Sequence, residues 1–340
     1  MIKKTRLLLG VLLLLVSCSE EVIDPDNQLI AGVEVIFLNA ERAYEYQKNH
    51  SRYIQEQIQQ IDVSIVLEED LSDRSLPEIR ELYLENLKAN TLNWTAREVR
   101  SFQDMLGEIF VEIRATTQQV LPDTLYMIKT TGDETIGEGA MYTVSKSITI
   151  PRVNTSSAGF GFLENNVKEV LRHELFHIYS NLNQEVRPDL YSIVGFYPIP
   201  LDLGGYEKRI IANPDTDYDW AIALDRNGER VEAVLLTYSL YESWEGNKSP
   251  LRLLAGKGYL DHGLFEVEAT NGIYQLSQGF EEIEMGEVDA SFRAQIGHNT
   301  DYTWAVEEII ADTYPLLFDS PEGRSMRDLE ILQALQDLLH

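Results

Sequence analysis

The chain has 340 residues, 56 of them Asp or Glu against 28 Lys or Arg, for a formal net charge of −28. Such a surface repels phosphate backbones, so no nucleic-acid partner is expected, while the length is ample for a large core. A single cysteine rules out an intramolecular disulfide and leaves stability to packing.

The chain opens with a positive head, Lys3, Lys4 and Arg6, and an apolar run from Leu7 to Val16. As a helix that run would span about 15 Å, half of a bilayer core of about 30 Å, so residues 1–17 read as a signal peptide rather than a membrane span. Leu15-Val16-Ser17-Cys18 resembles the lipobox of bacterial lipoproteins, which implies acylation of Cys18 and a lipid anchor in a bacterial cell envelope, at the outer membrane. Ser19-Glu20-Glu21 resembles the acidic signals that carry some lipoproteins to the cell surface; periplasmic and surface orientations both stay open. Loss of Lys3, Lys4 and Arg6 with the leader leaves 25 basic residues against 56 acidic, a charge of −31. Residues 18–31 are polar and suit a tether, and 32–340 read as one domain.

Ala40 to Gln60, rich in Glu, Gln and Tyr, reads as one long exposed helix. Leu76-Pro77-Glu78 opens a second, with Ile79, Leu82, Tyr83 and Leu87 as its apolar stripe. Thr95 and Glu98 have the spacing of a capping box and lead into a helix carrying Phe102, Met105, Leu106, Ile109, Phe110 and Ile113. The period then shortens: Leu125–Lys129 and Ser147–Ile150 are strand-like, with a Gly-rich turn region between them. Leu163, Val167, Val170, Leu171, Leu175 and Ile178 restore a helical spacing. Asp225-Arg226-Asn227-Gly228 and Thr270-Asn271-Gly272 signal hairpins, the second joining Leu264–Ala269 to Ile273–Leu276. Met326–Leu339 closes the chain as a helix with Leu329, Leu332, Leu335 and Leu339 inward. The order predicts an α+β fold: a helical N-terminal part, a small sheet, a central helix, a hairpin-rich insertion near 200–300 and C-terminal helices.

The central helix contains His173-Glu174-Leu175-Phe176-His177. Histidines four apart on a helix share a face and can put two imidazole nitrogens on one metal ion, and Glu174 beside them can take a proton from an activated water. A catalytic metal of this kind needs a third protein ligand. The extended motif HExxHxxGxxH does not supply it, since Ser180 and Asn183 occupy its glycine and last histidine positions. Val306 to Asp312 is the better source, because Glu308 and Asp312 share a helical face with the small residues Ala305 and Ala311 beside them. Glu307, Glu185 and Asp189 remain alternatives.

This pair of motifs resembles the gluzincins, zinc metallopeptidases with a glutamate as third ligand and an ExxxD pattern downstream of HExxH. The resemblance implies a zincin-like fold, Zn²⁺ bound by His173, His177 and Glu308, and Asp312 accepting a hydrogen bond from a metal-bound histidine. A looser similarity links the chain to uncharacterised bacterial HExxH lipoproteins of metallopeptidase type. It extends over Leu190-Tyr191 to Gly195-Phe196, Asn213-Pro214-Asp215 and the stretch from Glu307 to Asp312. The gap from His177 to Glu308 is longer than in most gluzincins and is accounted for by the hairpin insertion. Peptide-bond hydrolysis follows as the expected activity, with Glu174 as base and Tyr302 or His298 as donor to the oxyanion. In zincins a strand beside the cleft pairs with extended substrate, and Ser147–Ile150 is the candidate. A peptide or protein substrate and a monomeric state are expected. The rivals are a non-catalytic binding protein on the same scaffold, a processing factor with one cognate target, and hydrolysis of a non-peptide ester or amide.

Overall fold

Alternation shapes the first sheet. In β2 (Val33–Phe37), Val33, Val35 and Phe37 enter the main core while Ile36 enters a separate cluster on the other face. The computed structural model describes residues 28–117, 120–136, 140–157, 161–246 and 259–340, without the side chains of 156, 157 and 161–165. The expected leader, Cys18 and most of the tether lie outside the described residues. The last tether residues form a strand instead: β1 (Gln28–Ile30) pairs antiparallel with β2.

The helical block that follows differs from the single long helix expected over Ala40 to Gln60. Asn39 caps α1 (Ala40–His50), a π-helical turn spans Tyr53–Gln57, and α2 covers Gln60–Leu67. The chain breaks because Ile54, Ile58 and Val63 are buried against Ile79, Tyr83 and Leu87 of α3 (Leu76–Asn90), which a straight exposed helix could not achieve. After the short β3 (Thr91–Leu92), the capping box at Thr95 opens α4 (Ala96–Thr116). The Glu98 carboxylate accepts the Thr95 N–H at 2.9 Å and also takes Lys129 Nζ at 2.7 Å, tying α4 to the sheet.

Strands β4 (Thr124–Thr130), β5 (Tyr142–Val144) and β6 (Ser147–Pro151) complete the first sheet, ordered β1-β2-β4-β6-β5 with β3 on the end of β4. Its β2, β4 and β6 run parallel. Ser147–Ile150 is therefore not a free edge for an extended substrate: it lies in β6, paired along its length by β4 and, at Ser147–Thr149, by β5 on the other side. Ser145, at φ 54°, folds the chain back so tightly that Tyr142–Val144 becomes the edge strand.

The short α5 (Arg152–Ser157) leads to α6 (Gly161–Leu182), the motif helix, whose Val167, Leu171, Leu175 and Ile178 are buried while Val170 is half-exposed. The side chain of Leu163 lies outside the described residues. The second sheet follows α7 (Arg187–Ser192) and holds β7 (Phe196–Pro198), β8 (Leu201–Asp202), β9 (Trp220–Arg226), β10 (Glu229–Ser239), β11 (Leu260–Thr270) and β12 (Ile273–Leu276). They are ordered β7-β9-β10-β11-β12-β8. Both expected hairpins are present, with Asn227 and Gly228, and Asn271 and Gly272, all at positive φ as a type I′ turn requires. Alternation in β10 sends Ala233 and Leu235 into the main core and Val234 and Leu236 into a cluster on the outer face.

The chain ends in α8 (Met285–Ile296), α9 (Val306–Thr313) and α10 (Met326–Leu339). Gly297 stops α8 at φ 72°, where a Cβ would lie 2.5 Å from Asp328 Oδ1. The protein is thus mixed α/β with two sheets, compatible with the α+β expectation, and one core runs from the first sheet through α4 and α6 to the inner face of the second. Among the described residues no helix is long and apolar enough to cross a membrane. Leu106 is fully buried in that core. Leu106→Ala should cost about 2–5 kcal/mol, read as a lower urea midpoint, with metal binding unchanged in the folded protein.

Candidate metal centre

Two helices remote in sequence meet at their polar faces. On α6, His173 and His177 are one turn apart; on α9, Val306, Ile309 and Ile310 are buried in the core, which fixes the directions of Glu307 and Glu308. Ala305 and Ala311 are buried beside them and offer no bulk to hold α9 away. His173 Nε2 and His177 Nε2 lie 2.9 Å apart, and Glu308 Oε2 is 3.2 Å from the first and 3.4 Å from the second.

The outer ring nitrogens determine what faces inward. His177 Nδ1 lies 3.0 Å from Glu307 Oε1, and His173 Nδ1 is 3.8 Å from Asp312 Oδ1. At 3.8 Å the expected hydrogen bond from His173 to Asp312 is not formed, whereas the His177 ring, donating its Nδ1–H to Glu307, carries its lone pair on Nε2. While His177 is uncharged, the arrangement aims two ring Nε2 atoms and a carboxylate oxygen at one point, which is repulsive unless a cation lies among them; without one, a proton on His177 takes that place. Ligands about 2.0–2.2 Å from a tetrahedral metal would be roughly 3.3–3.5 Å apart, so a slight widening of the triad fits an ion. His173, His177 and Glu308 can therefore hold a metal ion.

A polar frame supports the triad. Glu307 is fully buried and accepts from Ser180 Oγ at 2.8 Å and from the Tyr191 hydroxyl, while Arg187 Nε donates to Ser180 Oγ at 3.1 Å. Ser180, which displaces the glycine of the extended motif, thus anchors the acceptor of His177. Asn213 Nδ2 donates to Glu308 Oε1 at 2.7 Å, and Asp312 accepts from the Thr300 hydroxyl. Asp215, buried beside the site, accepts from Asn181 Nδ2 at 3.1 Å. Burial pushes the Asp215 carboxyl up to about 7, helped by Glu174, Glu308 and Glu307 and opposed by His177. Burial also disfavours a charged His177, yet Asp215, Glu308 and Glu307 outweigh it and hold its pKa well above the usual imidazole value. Glu308 lies well below the carboxylate range despite burial, because His177 and His173 stabilise its anion.

Glu174 is buried on the cleft side, its Oε2 accepting from Thr143 Oγ1 of β5 at 2.8 Å. Burial raises its pKa, partly offset by the two histidines and Thr143. Glu174, the triad, Asp215, Tyr302 and Asp312 line a cavity of about 630 Å³. Tyr302 has its ring 6.3 Å from that of His173; desolvation and the nearby carboxylates raise its pKa, so the phenol stays protonated. His298 is not brought to this cavity. Its backbone N–H goes to Asp328 Oδ1 at 2.6 Å, because Gly297 turns the chain toward α10, and the expectation of an oxyanion donor there does not hold. Asp189 and Glu185 lie in and just before α7 and are likewise absent from the cavity lining.

No family model, curated protein or solved structure matches this chain.

Thr143 is absent from the sequence candidates, and the supporting roles of Asn213, Tyr191 and Glu307 could not be read from motifs, since each acts through a partner at least 31 positions away. Glu307→Gln should weaken divalent-cation affinity about 10–100-fold in a chelator competition titration, with the fold retained, because the His177 ring loses its anionic acceptor. His177→Ala should remove stoichiometric metal altogether, as measured by elemental analysis after gel filtration.

Proposed function

We propose that the chain is a zinc-dependent metallopeptidase, a hydrolase of peptide bonds related in design to the gluzincins. The observation that carries this reading is the placement of Glu174: a buried carboxylate, fixed by Thr143, beside a three-ligand group in an open cleft. A site that merely cross-linked two helices would need no such group and would not leave the centre facing a cavity. The ligand set of two imidazoles and one carboxylate suits zinc and leaves one tetrahedral position free.

When bound, zinc at His173, His177 and Glu308 would activate a water and polarise the scissile carbonyl. Glu174 accepts the proton of that water. Its pKa, raised by burial, makes it a better base at neutral pH than an exposed carboxylate, and Thr143 holds one oxygen so that the other is free to receive the proton. The water oxygen bonds to the carbonyl carbon, and Tyr302, protonated at the cleft rim, donates to the developing oxyanion. Glu174 then delivers the proton to the departing amine as the C–N bond breaks. Glu307 keeps the His177 ring oriented throughout, and Asp312 lies beside the His173 ring.

The same proposal places the protein at a bacterial envelope, lipid-anchored through Cys18, on the strength of the leader and the Leu15–Cys18 stretch. Metal-replete Glu174→Gln should retain bound zinc but lose about 10²–10⁴-fold in peptide cleavage, measured by mass spectrometry of peptide mixtures. Cleavage at the wild-type rate in that variant would end the mechanism.

A further inference from the structure

A second cavity of about 810 Å³ adjoins the metal cleft, and Ala140 and Tyr302 line both. Its lining is more apolar than the cleft's. Val66 of α2 and Tyr83 of α3 form one side, Val144 of β5 another, and Leu260 of β11 with Trp304 a third. Two acidic residues line it: Glu134 is fully buried, accepting the Gly132 N–H at 3.0 Å and the Tyr142 hydroxyl at 3.3 Å, and Asp301 is exposed and paired with Arg293 at 3.0 Å. Aromatic rings line the boundary with the cleft. His262 stacks on Trp304 at 4.2 Å, and the Tyr302 ring sits 6.3 Å from Trp304 on one side and 6.3 Å from His173 on the other.

We propose that this cavity is the specificity pocket of the protein, receiving a large apolar or aromatic side chain of the polypeptide whose backbone lies in the metal cleft. The proposal rests on the peptidase reading and adds a substrate class to it. Tyr302 and Ala140 border both cavities, so the occupant proposed is a side chain of the polypeptide seated in the cleft. The volume lies within the range of ligand-binding pockets. Burying a Phe-sized group against these walls is worth about tenfold to a hundredfold in affinity. The pocket draws its walls from the N-terminal helices, the edge strand and the inserted sheet, so selectivity would be a property of the assembled fold.

The test uses the full chain carrying Glu174→Gln, which can bind without cutting, and nonapeptides of Ala, Ser and Lys with one Phe moved through successive positions. Calorimetric titration should show binding about tenfold to a hundredfold tighter for one or two Phe positions than for the parent peptide without Phe. The unsubstituted protein should cut those peptides at a fixed offset from Phe. Val66→Trp and Leu260→Trp, which fill the cavity from different walls, should each erase the Phe advantage while leaving zinc content and parent-peptide binding unchanged. The Phe series on the unaltered pocket decides the question even if either variant fails to fold. No advantage at any Phe position, or an advantage that survives both fillings, would overturn the pocket. Cleavage without Phe preference would overturn the pocket and keep the peptidase reading; Phe-dependent binding without cleavage by the unsubstituted protein would do the reverse.

Discussion

Crowded negative charge around two imidazoles is the constraint on which the rest of this structure turns. Glu174, Asp215, Glu307 and Glu308 are all buried, and all face the same short stretch of α6. Burying one carboxylate without compensation is costly, and burying several together is untenable unless positive charge is supplied. The chain answers in part with its own groups: a histidine held well above its usual pKa, Arg187 within the polar frame, and neutral donors on Ser180, Asn213 and Thr143. A divalent ion at the focus of His173, His177 and Glu308 would complete the balance and turn a repulsive cluster into an ordered one.

Much of the fold can be understood as the support such a cluster needs. The motif helix gains its rigidity from Leu171, Leu175 and Ile178, locked into a core shared with α4 and the first sheet. Helix α9 is short, yet nearly all its residues are buried, so its acidic pair has little freedom to turn away. The edge strand β5 delivers Thr143, and the loop before β9 delivers Asn213 and Asp215. The second sheet is thus part of the site's construction. It shares the core of the first sheet on its inner face and lines the apolar cavity with Leu260.

The acidity of the chain also takes on a structural meaning. Counted from composition, a net charge of −28 says only what the surface repels. In the fold, some of those acids are drawn inward as ring acceptors and as a metal-ligand candidate. Glu134, in the more apolar cavity beside them, is likewise satisfied by neighbouring donors and raised in pKa by burial. Ala140 and Tyr302 form the boundary between the metal cleft and this more apolar cavity.

What could be read from the chain alone was local. Helical spacing placed α6 and α10, capping residues placed α4, Asn-Gly pairs placed two hairpins, and HExxH identified two histidines that must share a face, because each pattern lies within a few residues. Glu308 was legible as a candidate because its neighbours repeat a helical period, but Glu307 stood one position away with equal chemistry. Only the packing of Val306, Ile309 and Ile310 decided that Glu308 meets both rings and Glu307 backs His177. The break at Ser51, the interior position of Ser147–Ile150 and the removal of His298 from the cleft were likewise settled by distant partners: α3, the edge strand and Asp328. Periodicity reports which side of an element is apolar; it says nothing of which other element will cover it, because that depends on contacts that close only when the whole chain has folded.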